Sequence, residues 1–468
     1  MPPGPAGFTC GDKMGSIQSA LNNAASALGA FSQVMDVTEN NVTNASTPGY
    51  AAQSQNLEPL SFDPSGGGMG GVRAGQVVSA RDQYAEQTVR SAQTALGQST
   101  EDVASLTSVQ SVFDISGASG LAGDLNTLLS NFSAWAQTPT SPTAAQAVTT
   151  AAGDVAQDFQ QTYQALTTVQ TDTETQLQTT VGDINQLTAQ LADLDAQAAR
   201  ASGPDAGLDA QINSNLEQLS QYAGITATPQ ADGSYNVLLD GQVPLVLNGT
   251  QYKLSCAVDP AATPAATILS GGADVTSKVD GGQLGSLLDT YNTVLPSYLG
   301  NSAQPGQLNT MAQQLADAVN GILGAGTPGL ALFHYDASSP NTVAQTIAVD
   351  PSATTAALTA APVSASASLA GLESALQNGL GGSTFSEYYG QMASAAGSAL
   401  STATDQQTTQ QATLAQAQNL RQQSSGVSLD QEAMSLIEFQ RAYEACSKLV
   451  TTLDQITQDT IDMIQTFT

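Results

Sequence analysis

The side chains that could carry out catalysis or hold a metal are few and lie far apart. His334 is the one histidine, and its apolar and aromatic neighbours indicate a strand or the edge of a core. A Ser-His-Asp or Cys-His arrangement would have to use this imidazole, and we expect a structural role for it instead. The three cysteines are too few and too scattered for a disulfide framework or a zinc site: Cys10, Cys256 and Cys446.

Other signatures of an active site or a cofactor site are missing. The glycine run of 66–71 is not followed by Lys and Ser or Thr, so it does not form a phosphate-binding loop. The sequence contains neither GxSxG nor HExxH. Its 40 acidic residues leave room for a glycosidase-type carboxylate pair, but most are spread over polar helix faces. We therefore expect no enzyme activity, no cofactor and no metal.

Composition and charge exclude several classes of partner. The chain carries 40 acidic against 10 basic residues, a formal charge of −30, with no cluster of Lys and Arg. Nucleic acids and anionic membrane surfaces attract clustered positive charge, so neither is an expected partner. Charged residues make up only 11% of the chain. Ser, Thr, Gln and Asn provide the solubility, which is more typical of secreted or appendage proteins than of cytoplasmic enzymes.

The first residues do not form a cleavable signal peptide. They are rich in Pro and Gly and lack an apolar core segment, and no run reaches the roughly 18 apolar residues that span a membrane. We expect 1–13 to be a disordered extension, with Met1 and Met14 both open as the start. An exported protein of this kind needs a dedicated secretion route.

Both ends of the chain carry apolar residues at alternating steps of three and four. This 3.5-residue period places each set on one face of a helix, a face that packs against a partner helix. We therefore predict helices over 16–43 and from 428 onward. The N-terminal seam is Ile17, Leu21, Ala24, Leu28, Phe31, Met35, Thr38 and Val42, and the C-terminal seam combines Leu436, Tyr443, Val450, Thr457 and Ile464 with Phe439, Cys446, Leu453, Thr460 and Phe467.

The residues between the two seams predict a rod of helices with a small β part. An unbroken helical period over 143–200 corresponds to a helix roughly 85 Å long. Alternating apolar residues punctuated by Asp-Gly and Asn-Gly pairs predict antiparallel hairpins within 224–281. Further helices are expected at 82–113, 121–135, 208–219, 284–299, 308–323 and 385–422, an extended, loop-rich stretch at 50–80, and a strand at 346–349.

The predicted fold is mainly α. Its terminal helices pair as a coiled coil, a long-helix bundle forms a rod domain, and a small antiparallel β element is inserted. The predicted regions are the extension 1–13, the assembly domain 14–50 with 425–468, the rod domain 51–223 with 282–325 and 385–424, the β element 224–281, and a reduced or irregular outer region 326–384.

A constellation that follows the first helix is the most specific motif of the sequence. Asparagines end the helix, Pro48-Gly49 makes a turn, and Tyr50 follows. The spacing Asn-Asn-x-x-Asn-x-x-Thr-x-Gly-Tyr over 40–50 resembles the N-terminal signature of the bacterial flagellar axial proteins. The stretch 425–445, Ser-Gly-Val-Ser-Leu-Asp followed by Glu432 and the first seam residues, is similar to their C-terminal signature.

The middle of the chain resembles the hook–filament junction branch of that family. The similarity rests on Asp-Gly-Ser-Tyr-Asn-Val at 232–237, Gly-Gln-Leu-Gly-Ser-Leu-Leu-Asp at 282–289, and the helix that begins at Leu308-Asn309. It covers most of the chain outside 1–13 and 326–384. The chain has Ala51-Ala52 where the family often has a basic residue, and Cys446 where a small residue is usual.

The resemblance implies an extracellular structural subunit of the flagellum, which is exported unfolded and joins the hook to the filament. The implied partners are other copies of the chain, the hook protein, the second junction protein, and an export chaperone on the C-terminal helix. A rod or hook subunit, and a secreted enzyme or adhesin with activity in 224–384, remain alternatives. The expected assembly and partner residues are Ile17, Leu21, Leu28, Phe31, Met35, Asn41, Val42, Asn44, Pro48, Gly49, Tyr50, Leu429, Leu436, Phe439, Tyr443, Val450, Leu453 and Ile464.

Overall fold

The fold is described from a computed structural model. The described residues are 10–63, 68–113, 120–201, 203, 205–326, 329–360, 380 and 382–466. Most of the predicted extension 1–13, most of 361–384 and Phe467 lie outside them. The mainly helical prediction is confirmed, with small antiparallel sheets set between long helices.

The helices follow the predicted periodicity closely. The longest begins at Pro142, one residue before the predicted start, with the hydroxyl of Ser141 capping its first turn. The first helix begins at Cys10, six residues earlier than predicted, and so includes the end of the predicted extension. The helices are α1 (Cys10–Asn44), α2 (Gln83–Gln110), α3 (Gly120–Gln137), α4 (Pro142–Ala198), α5 (Ala206–Tyr222), α6 (Gly282–Asp289), α7 (Leu295–Leu299), α8 (Gln307–Gly326), α9 (Val343–Thr346), α10 (Thr355–Ala360), α11 (Phe385–Ser425) and α12 (Leu429–Thr466).

The strands are short and pair in antiparallel fashion. The insertion between α5 and α6 forms a four-stranded sheet in the order β5-β6-β7-β8 and a three-stranded sheet in the order β11-β10-β9. The strands are β1 (Gln53–Pro59), β2 (Phe62–Asp63), β3 (Gly68–Met69), β4 (Val72–Ser79), β5 (Ile225–Pro229), β6 (Tyr235–Leu239), β7 (Val243–Leu247), β8 (Thr250–Gln251), β9 (Leu254–Val258), β10 (Ala266–Ser270), β11 (Ala273–Asp274), β12 (Phe333–His334) and β13 (Ala348–Val349).

Three predicted elements differ from the structure. The loop-rich stretch 50–80 contains an antiparallel hairpin, β1 paired with β4 with an irregularity between Gln55 and Leu57, and both strands pack against α1. The helix predicted over 284–299 is interrupted by a π-helical turn at Thr290–Val294. The strand predicted at 346–349 is shorter, since Thr346 ends α9 and only Ala348–Val349 pairs with β12. His334 lies exposed in β12.

Helix α4 connects the two hydrophobic cores of the molecule, because each of its halves is buried in a different core. Phe159 and Leu166 are fully buried in the first core, with α3 and α8. Leu177 and Ile184 are fully buried in the second, with α5, α6 and the β insertion. Buried residues repeat at helical spacing along the 57 residues of α4, so both cores pack against the same helix.

The two terminal helices lie side by side, and α1 also packs against the β1–β4 hairpin. This double contact explains why the most buried residues of α1 are displaced from the predicted seam: Ala24 and Thr38 belong to it, but Ala30, Val34 and Asn41 lie beside it. Among the helices in the described parts of the chain, none combines the length and the hydropathy that crossing a membrane requires.

Candidate functional site

The terminal helices pair in opposite directions. The rings of Phe31 and Phe439 have centroids 6.1 Å apart, and Asn41 contacts Glu432. Residues late in α1 therefore face residues early in α12. The heptad pattern had predicted a pair of helices without a direction.

Most residues of the two predicted seams are half-buried in this pair. Three are more exposed, and the side chain of Ile464 lies outside the described residues. The half-buried residues are Ile17, Leu21, Leu28, Phe31, Met35, Leu436, Phe439, Val450 and Leu453. The exposed residues are Val42 (43%), Leu429 (55%) and Tyr443 (39%).

The side chain of Asn41 connects four parts of the chain. Its Nδ2 donates to the backbone oxygen of Gln53 at 2.8 Å and to Oε1 of Glu432 at 2.9 Å. Its Oδ1 accepts from the backbone N–H of Gln53 at 2.8 Å and from the hydroxyl of Tyr50 at 2.9 Å. The buried amide thus uses both donors and both acceptor positions. It holds α1, the turn, β1 and α12 together.

Tyr50 is positioned beside this amide by the turn that precedes it. Burial, and to a lesser extent the negative charge of Glu432, raise the pKa of the Tyr50 hydroxyl. The phenol therefore stays protonated and acts as a hydrogen-bond donor to Asn41 at neutral pH. Asn44 reinforces the end of α1, where its Oδ1 accepts from the hydroxyl of Thr47 at 3.1 Å.

The turn at Pro48 and Gly49 rests directly on α5. Gly49 has φ of +74°, a conformation that side chains disfavour. A Cβ built at this position would collide with the backbone oxygen of Ala210. Both the left-handed conformation and the close approach require glycine, which explains why the motif ends in Gly before Tyr50.

A cluster of ion pairs lies behind this turn. Arg81 donates from Nη2 to the oxygen of Gly49 at 2.6 Å and to Oδ2 of Asp209 at 2.7 Å, and from Nη1 to Glu86. The side chains of Arg81 and Glu86 are each 4% exposed. A buried cation of this kind needs its full set of partners, because an unpaired charge in the interior is costly.

A second arginine joins the cluster from α11. Arg421 lies 2.8 Å from Glu217 and 3.4 Å from Glu86. Burial opposes the Arg421 charge, but the hydrogen bond and the charge of Glu217, with the charge of Glu86, raise its pKa overall. Arg90 is also buried here, and burial lowers its pKa against the opposing charge of Glu86.

The start of the C-terminal signature, at Ser425, is hydrogen-bonded to the chain on either side of the β1–β4 hairpin. The backbone oxygen of Ser425 accepts from the N–H of Ala52 at 2.9 Å, and its hydroxyl accepts from the N–H of Asp82 at 3.0 Å. We refer to the residues around Asn41, Gly49, Arg81 and Ser425 as the terminal junction. Here the terminal helix pair meets the helical rod.

Sequence reasoning found Asn41 and Gly49 but missed the ion pairs of the terminal junction. One signal could have pointed to them. The chain has only six arginines, and three of these rare cations lie together here: Arg81, Arg90 and Arg421. Within the described residues, no group of three His, Cys, Asp or Glu side chains is placed to hold a metal ion. The arrangement is suited to holding helices in position.

Comparison with protein-family models places this architecture among flagellar proteins. The model described as flagella basal body rod protein matches residues 21–50, which include the second part of α1 and the Pro-Gly turn. The model described as flagellar basal body rod FlgEFG protein C-terminal matches residues 418–463, which include Arg421 and most of α12. The model described as flagellar hook-associated protein FlgK helical domain matches residues 106–333.

Two sequence relatives are named flagellar hook-associated protein 1, and one solved structure is similar over part of its length. Flagellar hook-associated protein 1 of Bacillus subtilis (strain 168) is 26% identical over 495 residues, covering 94% of this chain and 97% of the relative. Its counterpart from Escherichia coli (strain K12) is 25% identical over 317 residues, covering 66% of this chain but only 55% of the relative. The flagellar hook junction protein FlgK from Burkholderia pseudomallei is a solved structure with 26% identity and a TM-score of 0.47, covering 53% of this chain and 46% of that chain.

The paired terminal helices, the terminal junction and the terminal family matches define a flagellar axial protein. The helical region narrows this class, because it matches the model of the hook-associated protein FlgK. Along nearly its whole length the chain is also similar to the flagellar hook-associated protein 1 of Bacillus subtilis.

Proposed function

We propose that this chain is a structural subunit that joins the hook to the filament of the bacterial flagellum and assembles through its terminal helices. The observation that carries the proposal is the hydrogen bond between Asn41 and Glu432, which joins the two terminal signatures. The two ends of the chain thus form one unit, attached to the helical rod through the terminal junction. A subunit built in this way presents its ends together to its neighbours.

The terminal helix pair leaves a large apolar surface uncovered, which supports a role in assembly. Several large side chains of α12 point away from α1. Helices with apolar faces on two sides pack into bundles with more than one partner. The exposed side chains are Met434 (65%), Ile437 (51%), Leu449 (50%), Ile456 (45%), Ile461 (41%) and Met463 (58%).

We assign two roles to the α12 seam and its exposed face at different stages. Before export, an export chaperone covers the apolar residues of α12. After export, the same residues pack against neighbouring copies, the hook protein and the second junction protein. The subunits contact one another head to tail, and such heterologous contacts generate a helical tube.

We infer that the terminal helices of a single subunit are marginally stable, because helices depend on packing of their apolar faces and α12 leaves large apolar side chains exposed in one chain. We infer that 14–50 and 425–468 form the assembly domain and order fully only when neighbours pack around them. Limited proteolysis of the purified monomer should remove about 1–45 and 425–468 first. Resistance of these segments in the monomer would contradict this inference.

Deletion of the gene tests the proposed function directly. Electron microscopy should show bare hooks, and a blot of the medium should show flagellin lost from the cells. Cells without hooks would instead indicate a rod or hook subunit.

Intact filaments would contradict the assembly role. The alternative of a secreted enzyme or adhesin would then be tested by assaying the full chain, with attention to 224–384. Within the described parts of 224–384, no group of His, Cys, Asp or Glu side chains that could hold a metal ion favours this alternative.

A further inference from the structure

A cleft beside the Pro48–Gly49 turn has features of a contact site for another chain. It has a volume of about 470 Å³ and lies between the turn, α4 and α5. None of the residues that line it is charged, although the chain as a whole carries −30. Amide and hydroxyl side chains dominate the lining: Asn44, Thr47, Gln190, Gln211, Ser214, Asn215 and Gln218.

One of these amides is buried without its full set of partners. Asn215 is 6% exposed, and its Nδ2 donates to Oε1 of Gln190 at 3.2 Å. Its Oδ1 is buried and has no hydrogen-bond partner in the described structure. A buried amide acceptor without a donor costs free energy. The exposed amides of Gln211 and Gln218 in the same cleft are accessible to an N–H donor from another molecule.

The charge of the chain indicates which partner suits this cleft. Two copies of a chain with charge −30 repel each other wherever their acidic residues meet. Contacts between copies therefore favour surfaces that carry no charge. The cleft is one such surface.

The outer face of α11 over 406–420, beyond the exposed Asp405, is a second surface of this kind. No residue from 406 to 420 is charged, and the side chains are mostly Gln, Thr and Ala. Ala403 and Ala417 are buried on the side that faces α2. Thr408, Gln416 and Asn419 lie on the outer side and are exposed. The Thr408 hydroxyl donates to the backbone oxygen of Thr404, while the amides of Gln416 and Asn419 are accessible to another molecule.

We propose that the cleft beside Pro48 receives the uncharged outer face of α11 from a second copy of this chain. Glutamine amides on α11 supply the N–H donors that the amide-lined cleft accepts. The two surfaces differ, so the contact is heterologous and extends from copy to copy along an open helical assembly. This inference rests on the proposed function and identifies one contact through which the subunits stack.

Site-directed cross-linking in assembled flagella tests the contact. The full chain, with Cys10, Cys256 and Cys446 changed to Ser, is expressed in cells that lack the native gene. Gln211→Cys places a thiol at the cleft, and Gln416→Cys places one on α11. A short bismaleimide added to isolated hooks and filaments should give dimers and higher multimers with the double variant, and monomers with either single variant.

The control pair combines Gln416→Cys with Gln178→Cys, because Gln178 is an exposed glutamine of α4 that does not line the cleft. Restored motility with no multimers for the 211/416 pair would overturn the inference and leave the proposed function standing. Equal multimers from the control pair would also overturn it. Failure of the serine-substituted chain to enter flagella, while the unsubstituted chain also fails, would instead overturn the proposed function.

A charge variant provides a second, independent test. Gln211 and Gln218 are both exposed, so Gln211→Glu with Gln218→Glu should fold normally while adding two negative charges to the cleft. We expect fewer subunits retained per hook, with partial recovery at high salt because salt screens the repulsion. Gln178→Glu is the matched control and should be retained normally. Normal retention of the double variant at low salt would contradict the inference.

Discussion

Asn41 and Glu432 are separated by 391 positions in sequence, yet the amide of the first donates to the carboxylate of the second at 2.9 Å. The same amide also satisfies both backbone groups of Gln53. One side chain therefore sets the register between the N-terminal helix, the hairpin and the C-terminal helix. The two ends of the chain act as one unit for this reason.

Replacing the Asn41 amide should loosen the contact between α1, the β1–β4 hairpin and α12. In Asn41→Ala the buried backbone groups of Gln53 lose their partners, at a cost of about 1–3 kcal/mol for each buried group left unpaired. Hydrogen–deuterium exchange of the assembled subunit should show faster exchange in peptides that cover the end of α1 and β1. Asn22→Ala, at an exposed asparagine of the same helix, should leave this protection unchanged. Unchanged exchange in Asn41→Ala would show that the amide does not hold the hairpin.

The glycine of the turn should not tolerate a side chain. Gly49→Ala forces alanine to φ of +74° and against the backbone of Ala210, and the left-handed conformation alone costs about 1–3 kcal/mol. We expect a lower midpoint of thermal unfolding and reduced motility. Gly29→Ala serves as the control, because a Cβ at Gly29 meets no atom within 4 Å. Alanine in that helix should be neutral or stabilising by about 0.5–1 kcal/mol.

Breaking the buried ion pairs should lower the free energy of unfolding far more than breaking an exposed pair. Glu86→Gln leaves Arg81 and Arg421 without a shared carboxylate, and breaking a buried pair in this way costs about 3–5 kcal/mol. The control is Arg73→Gln, since Arg73 and Glu58 are paired with exposed side chains and such pairs contribute about 0–1 kcal/mol. Urea unfolding of the full chain measures both. Equal effects of the two substitutions would contradict the importance of burial at the terminal junction.

Asp195 should make the stability depend on pH. Its Oδ1 accepts from the N–H of Tyr235 at 3.0 Å, but burial raises its pKa from 3.8 to about 6. Because the folded state binds this proton more tightly, the stabilising contribution is present below pH 3.8 and is lost as the pH rises through about 6. At about 1.4 kcal/mol per pKa unit, the change is about 3 kcal/mol.

Asp195→Asn should therefore flatten the pH dependence of the unfolding free energy between about pH 4 and 8, measured by urea titrations. Asp274→Asn is the control, since hydrogen bonds from Thr276 lower the pKa of Asp274 and place its titration below this range. An unaltered pH profile in Asp195→Asn would mean that this carboxylate is not the source of the dependence.

The extent of most elements could be predicted from local sequence. The 57-residue α4 lies within two residues of its predicted bounds at both ends, because one apolar face repeats without a proline or a long break. Asp-Gly and Asn-Gly pairs located the hairpins, and Asp240 and Asn248 indeed have positive φ. The hairpin at 53–79 was missed, since its strands are mostly polar and interrupted by glycines.

The two terminal seams, the long helix α4 and the shortage of positive charge could be read from local sequence, since each depends on residue type and on short-range spacing. The opposite directions of the terminal helices, the burial of Asn41 beside an exposed Val42, and the pairing of Arg81 with Asp209 and of Arg421 with Glu86 are visible only in the folded chain. These charged partners are separated by 128 and 335 positions. They meet because the turn packs on α5 and α11 packs on α2, contacts that depend on the path of the whole backbone.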